Sequence, residues 1–227
     1  MREVVIVSAV RTPVGSFGGS LGEVPAPRLG AACIKEALER VAVAGADVDE
    51  VLMGCVLPAA QGQAPARQAA LYAGLPSSVA CTTVNKVCGS GLKTVTLGMQ
   101  AIQCGDATIV VAGGMENMDL APYVLPKART GYRMGHGQLI DTMVNDGLWD
   151  PYNDQHMGMC AELCSSEFNY TREAQDAFAR TSYERSLDAI AKGLFKDEIV
   201  PIEITSRGKT TVIDTDEEPG RGRPEKM

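Results

Sequence analysis

Aromatic residues are scarce, 5% of 227 with a single tryptophan, and the chain holds only two histidines, His136 and His156. Any imidazole base supplied by this chain is therefore one of those two. Positive charge is also in deficit, with 21 Lys and Arg against 28 Asp and Glu and a formal net charge of −7. Affinity for a phosphate backbone rests on clustered cations, so the reading excludes nucleic acid as a partner. An anionic membrane surface fits no better. No apolar run approaches the roughly 20 residues that span a bilayer. The amino terminus lacks a basic region followed by an apolar stretch and a small-residue cleavage site, so the expected compartment is the cytoplasm. The seven cysteines are odd in number and contain no C-x-x-C pair, which is not a disulfide framework.

What is present suits a folded chain with a real core: 45% hydrophobic residues, 22% charged and 24 glycines. The length allows one large domain or two small ones. The run 4–10, VVIVSAV, is β-branched, ends at Arg11-Thr12-Pro13 and reads as a buried strand. A glycine-rich loop, VGSFGGSLG, follows. From Arg28 onward Leu29, Ala32, Cys33, Ile34, Ala37, Leu38 and Val41 recur at near-helical spacing, ahead of a second apolar run from Val51 to Leu57. The alternation returns as Val79 to Val84, a helical stretch from Cys88 to about Gln103, and then Ala107 to Ala112. Short β runs separated by helices predict a mostly parallel sheet with helices on its faces over residues 1–116.

After Gly113-Gly114 the pattern changes. Residues 117–153 are punctuated by proline and glycine without sustained periodicity, too long for a plain connection, and read as a functional or oligomer-forming excursion. Two helices are then expected, His156 to Phe168 and Thr171 to Lys192. Thr171 suits the N-cap of the second, Glu173 its first turn and Gly193 its end. The tail from Asp214 to Met227 is acidic, then basic, and stops at PEKM with nothing apolar to close it.

Cys88 is the leading chemical candidate. Asn85-Lys86-Val87-Cys88-Gly89-Ser90-Gly91 puts a thiol where a strand and tight turn give way to a helix, and the flanking glycines let backbone or ligand come close. The positive end of the helix favours a thiolate by about 0.3–1 kcal/mol, too little to activate the sulfur without a neighbouring base. The competing reading is a small buried cysteine at a glycine-rich helix start. His136, in Gly135-His136-Gly137, reads as a solvated loop residue. His156, Cys160 and Cys164 share a helical face if that helix starts early. No fourth ligand is indicated, and Met157, Leu163 and Phe168 give an ordinary packing helix, so no metal is expected. Neither VGSFGGSLG nor AGGMENM fits a phosphate-binding loop, and both read as turns. Glu116 and Asp119 form no acid–base pair and read as loop caps or ion-pair partners.

Taken together and in order, SAVRTPVGSFGGSL, NKVCGSGLKTV, AGGMENM and HMGMCAE resemble the thiolase family, in particular its acetyl-CoA acetyltransferases. The resemblance implies a layered α/β fold, of which residues 1–116 form the amino-terminal half and 117–227 an inserted, incomplete loop domain, with the carboxyl-terminal half absent. It assigns Cys88 as the nucleophile that takes an acyl group from an acyl-CoA. It puts Leu148, His156 and Met157 on positions that line coenzyme A, so that His156 binds rather than acts as base, and it puts the family's nucleotide-contacting arginine near Arg221. The stretch from about Ala121 to Thr142 corresponds to the loop through which tetrameric members pair their dimers, implying a homo-oligomer. The resemblance calls for coenzyme A thioesters as substrates and no separate cofactor.

The family's remaining catalytic pieces match nothing in this sequence. These are a histidine in a G-H-P segment, an asparagine in an N-E segment and a second cysteine in a C-x-G segment. General acid–base help is worth about 10²–10⁴-fold and an oxyanion donor about 10²–10³-fold. The expectation is a fragment inactive alone, cut from an enzyme that interconverts two acetyl-CoA with acetoacetyl-CoA and coenzyme A. The alternative is a non-catalytic acyl-CoA-binding or assembly subunit that needs a separate partner chain.

Overall fold

A computed structural model describes residues 2–223. The last residues of the tail, PEKM, lie outside the described residues. Helix α1, Ala26–Arg40, carries Pro27 in its first turn, where a missing N–H forfeits no helical bond. Its buried positions Ala26, Gly30, Ile34 and Leu38 recur at intervals of four and form one stripe. Strand β1, Glu50–Gly54, follows, then helix α2, Pro65–Tyr72, and strand β2, Ala80–Val84. Helix α3, Ser90–Cys104, leads into strand β3, Val110–Gly114. The three strands form one parallel sheet in the order β2-β1-β3, with Glu50 opposite both Ala80 and Val110.

Alternation along β1 decides which helix covers which face. Val51 and Met53 point into a core with Ile34, Leu38, Ala66, Ala69, Leu75, Val79 and Met115, between the sheet and helices α1 and α2. Gly54 points the other way, toward α3. A Cβ on Gly54 would lie 2.7 Å from both Gly91 N and Ser90 C, so only glycine lets α3 settle on the end of β1. The hydroxyl of Thr94, fully buried, reaches Gly113 O at 2.9 Å and ties α3 to β3. On its outer side α3 leaves Leu92, Val95 and Met99 exposed, at 73%, 38% and 41%.

The run 4–10 departs from expectation. It joins no strand ladder, and Val5, Ile6 and Val7 stand 66–76% exposed. A strand exists only where a neighbour completes its hydrogen bonds. Pairing begins at Arg11, whose N–H donates to Glu198 O at 2.8 Å and whose carbonyl accepts from Val200 N at 2.8 Å. β-Branched composition was therefore enough to suggest a strand but not to supply its partner or bury it.

Residues 117–153 hold the paired strands β4, Tyr123–Val124, and β5, Ile140–Asp141, then helix α4, Thr142–Gly147, and strand β6, Trp149–Asp150. Strand β7, Gln155–His156, pairs with β6. Helices α5, Met157–Glu167, and α6, Arg172–Ala191, follow, then the hairpin β8–β9, Ile202–Ser206 with Lys209–Ile213. The helices fall where expected. His156 and Thr171 are their N-caps, accepting from Gly158 N and Ala174 N, and Gly193 adopts φ +68° beyond the end of α6. No described helix is long and apolar enough to cross a membrane.

The glycine-rich loop embraces carboxylates from the far end of the chain. Asp216 accepts two guanidinium bonds from Arg11, at 2.6 and 2.9 Å, and one from Val14 N at 2.8 Å. Glu217 Oε2 accepts from Ser16 N and Ser20 N, both at 3.1 Å. The Arg11 bonds hold the Asp216 carboxyl below its ordinary range, and the Ser20 and Ser16 amides do the same for Glu217. The loop is thus a turn that receives side-chain anions of the chain itself.

Candidate active site

Cys88 is exposed and sits on a tight turn between β2 and α3. The turn is closed by Gly89 N donating to Lys86 O at 3.1 Å and Ser90 N donating to Val87 O at 3.0 Å. The side chain of Ser90 adds two bonds, accepting from Lys86 N at 2.8 Å and donating to Val87 O at 2.6 Å. Asn85 Oδ1 accepts from Val87 N at 2.9 Å. Val87 has φ +47°, in the left-handed region, immediately before the sulfur-bearing residue.

The other cysteines are in different settings. Cys55 is buried, and desolvation together with the adjacent Glu116 carboxylate pushes its thiol up to about 11, so it stays protonated at neutral pH. Burial also raises Cys33 and Cys81. All seven cysteines are free. Glu116 accepts from Val56 N at 2.7 Å and Leu57 N at 3.1 Å, and Asp119 accepts from Gly18 N at 2.7 Å. Both acids are loop caps.

Among the described residues no histidine is hydrogen-bonded to Cys88. His136 is exposed in its loop. His156 Nδ1 accepts from Gly158 N at 3.0 Å, which occupies that nitrogen in capping α5. As an extended N-cap residue, His156 stands outside the helix that carries Cys160 and Cys164, and no described group of three His, Cys, Asp or Glu is arranged to hold a metal ion.

The structure does bring Leu148, His156 and Met157 together. Trp149 pairs with His156 across β6 and β7, and Met157 N donates to Leu148 O at 2.9 Å. Leu148 is half-buried, while His156 and Met157 are exposed, so the three offer one accessible edge with apolar and imidazole character. Arg221 lies elsewhere, in a short 3₁₀ turn, Glu218–Arg221, with its guanidinium 3.6 Å from Glu217. No described hydrogen bond or ion pair joins it to the other three.

Sequence reasoning singled out the sulfur but gave no role to Asn85, Ser90 or Gly54. The first two stand inside the same motif, and a serine at a helix start after a turn is a signal for side-chain-to-backbone bonding. Gly54 carries no such local signal, because its contact with α3 is made by strand topology.

A three-stranded parallel sheet, a helix seated on the end of its central strand and a thiol on the turn before that helix accompany a clear family match. The chain belongs to the thiolase family: the description "Thiolase, N-terminal domain" matches residues 4–224. Among curated relatives, the acetyl-CoA acetyltransferase of Pseudomonas aeruginosa is 57% identical over 98% of this chain and 57% of its own length. Those of Cupriavidus necator and Schizosaccharomyces pombe are 57% and 54% identical, over 96% and 99% of this chain and 56% and 58% of their own lengths. The chain spans a little over half the length of these relatives.

Proposed function

We propose that this chain is the nucleophile-bearing amino-terminal part of a thiolase-type acyltransferase that interconverts two acetyl-CoA with acetoacetyl-CoA and coenzyme A. The observation that carries the reading is the exposed Cys88 thiol, held on a hydrogen-bonded turn two residues before α3. In the forward direction the Cys88 thiolate attacks the thioester carbonyl of acetyl-CoA. The S-acetyl bond forms, the bond to coenzyme A breaks, and the released thiolate takes a proton. A second acetyl-CoA then loses an α-proton to a base. Its carbanion attacks the S-acetyl carbonyl, forms the new carbon–carbon bond and returns Cys88 as thiolate. The positive helix end behind Cys88 favours each thiolate stage.

The described residues offer Cys88 no base, and α3 turns an apolar stripe outward. Both observations support a reading in which catalytic groups and covering surface come from outside these residues. Leu148, His156 and Met157 would line the coenzyme A moiety, with Arg221 toward its nucleotide. The substrates are coenzyme A thioesters, with no metal or redox cofactor. The assembly is a homo-oligomer in the cytoplasm, paired through the loop between Ala121 and Thr142. The test compares thiolysis of acetoacetyl-CoA by the complete product of the gene with that of its Cys88→Ala form. Loss of turnover to background is expected, and equal rates would remove Cys88 from the mechanism.

A further inference from the structure

The turn ahead of Cys88 is held in a conformation that its own residue resists. Val87 has φ +47°, and a β-branched side chain is among the least tolerant of left-handed backbone. Packing does not force it there, since Val87 is 51% exposed. Polar side chains grip its peptide from both ends: Asn85 Oδ1 accepts the Val87 N–H at 2.9 Å, and the Ser90 hydroxyl donates to the Val87 carbonyl at 2.6 Å. The same hydroxyl accepts the Lys86 N–H at 2.8 Å, so one oxygen bridges the Asn85–Lys86 and Val87–Cys88 peptides. Asn85 is exposed, its Nδ2 donating to Val56 O at 3.3 Å. Ser90 is 4% exposed, with its backbone against Gly54, and it is itself the first residue of α3.

We propose that Ser90 is a positioning residue for the acyl transfer assigned to Cys88, its buried hydroxyl locking Val87 in the left-handed conformation that fixes where the sulfur stands relative to α3. The proposal rests on the acyltransferase reading above. It goes beyond that reading by giving a role to a residue that need not touch substrate. A nucleophile displaced by about 1 Å can cost on the order of 10²-fold in rate while substrate binding elsewhere is untouched. The lock is therefore expected to appear in kcat and not in KM.

The experiment uses the complete gene product with acetoacetyl-CoA and coenzyme A. Ser90→Ala is expected to lower kcat about 100-fold with KM within about threefold of the parent. Adding Val87→Gly removes the conformational penalty that the lock opposes, because glycine enters positive φ freely. The double variant Ser90→Ala/Val87→Gly is expected to regain about tenfold in kcat. A serine that merely packed or capped the helix would not be rescued at position 87. If the alanine form does not fold, as judged by circular dichroism, Ser90→Cys keeps a side chain of similar shape with a weak donor and is expected to show the same loss and the same rescue. Ser90 variants within threefold of the parent kcat, or a loss that Val87→Gly leaves unrelieved, would overturn the proposal. Cys88→Ala is run in parallel: if it turns over at the parental rate, the acyltransferase reading fails first, whatever the serine variants do.

Discussion

Two stretches of this chain are comparably helical and oppositely packed. Between Ala26 and Met115 the helices α1 and α2 press on Val51 and Met53 and enclose a core in which Ile34, Ala66 and Ala69 are almost fully buried. Between Met157 and Ala191 the helices α5 and α6 contain no buried residue at all, and Phe178 stands 80% exposed. The second pair is specified by local devices: the His156 and Thr171 caps, and the ion pairs Arg172–Asp176 and Asp188–Lys192 at i, i+4. Such pairs are worth only about 0.2–0.5 kcal/mol each. Helix formation in the two stretches thus has different origins, tertiary burial in one and chain-local bonding in the other.

The sharpest way to break that contrast is to truncate one large side chain in each stretch. Ile34→Ala, at 1% exposure, is expected to lose about 2–5 kcal/mol in urea unfolding. Phe178→Ala is expected to lose less than about 0.5 kcal/mol. Equal losses would mean that α6 is buried in solution and that the contrast is false. Gly54→Ala comes next. The added methyl meets backbone of Ser90 and Gly91, so a loss of about 1–3 kcal/mol is expected, with altered reactivity of Cys88 toward iodoacetamide but not of Cys104.

Acid probes a contact outside both stretches, the one that ties the tail to the glycine-rich loop. The folded values of Asp216 and Glu217 lie below their unfolded ones, so their stabilisation is complete above the ordinary carboxylate range and is lost as pH falls through the lowered folded values. Proteolysis near the tail is expected to accelerate below about pH 4, and Asp216→Asn is expected to flatten that dependence. A tail equally protected at pH 3 and pH 7 would contradict the assignment. The smallest effect belongs to Thr171→Ala, which removes the α6 cap and is expected to cost about 1 kcal/mol, seen as faster hydrogen exchange in the first turn of α6.

The same distinction explains what could be read in the residue order. Helices α5 and α6 were legible almost to the residue, since Thr171, Glu173 and Gly193 are local marks. Helix α3 was legible from glycine-flanked Cys88 through the apolar repeat that follows. Helix α2 was not anticipated: its buried residues, Pro65, Ala66, Ala69 and Ala70, are too small to make a strong apolar stripe. The run 4–10 misled because β-branched composition reports a preference, while a strand requires a neighbour that composition does not name. At the site, Cys88 announced itself through the turn before a helix and through Gly89 and Gly91, which follow it. The Ser90 bridge lies within the motif, three and four residues from its partners, and carried a local signal, whereas Gly54 acts through a contact that exists only once β1 and α3 meet. Arg221 stands in a turn that no described hydrogen bond or ion pair joins to Leu148, His156 and Met157.

The central claim is that the sulfur of Cys88 becomes transiently acylated. Its most direct test is acid quenching of the complete gene product during turnover of acetyl-CoA labelled in the acetyl carbonyl, followed by peptide mass spectrometry. The account predicts the acetyl group on the peptide carrying Cys88, lost on addition of coenzyme A. Label on another side chain, with Cys88 recovered as a free thiol, would contradict it.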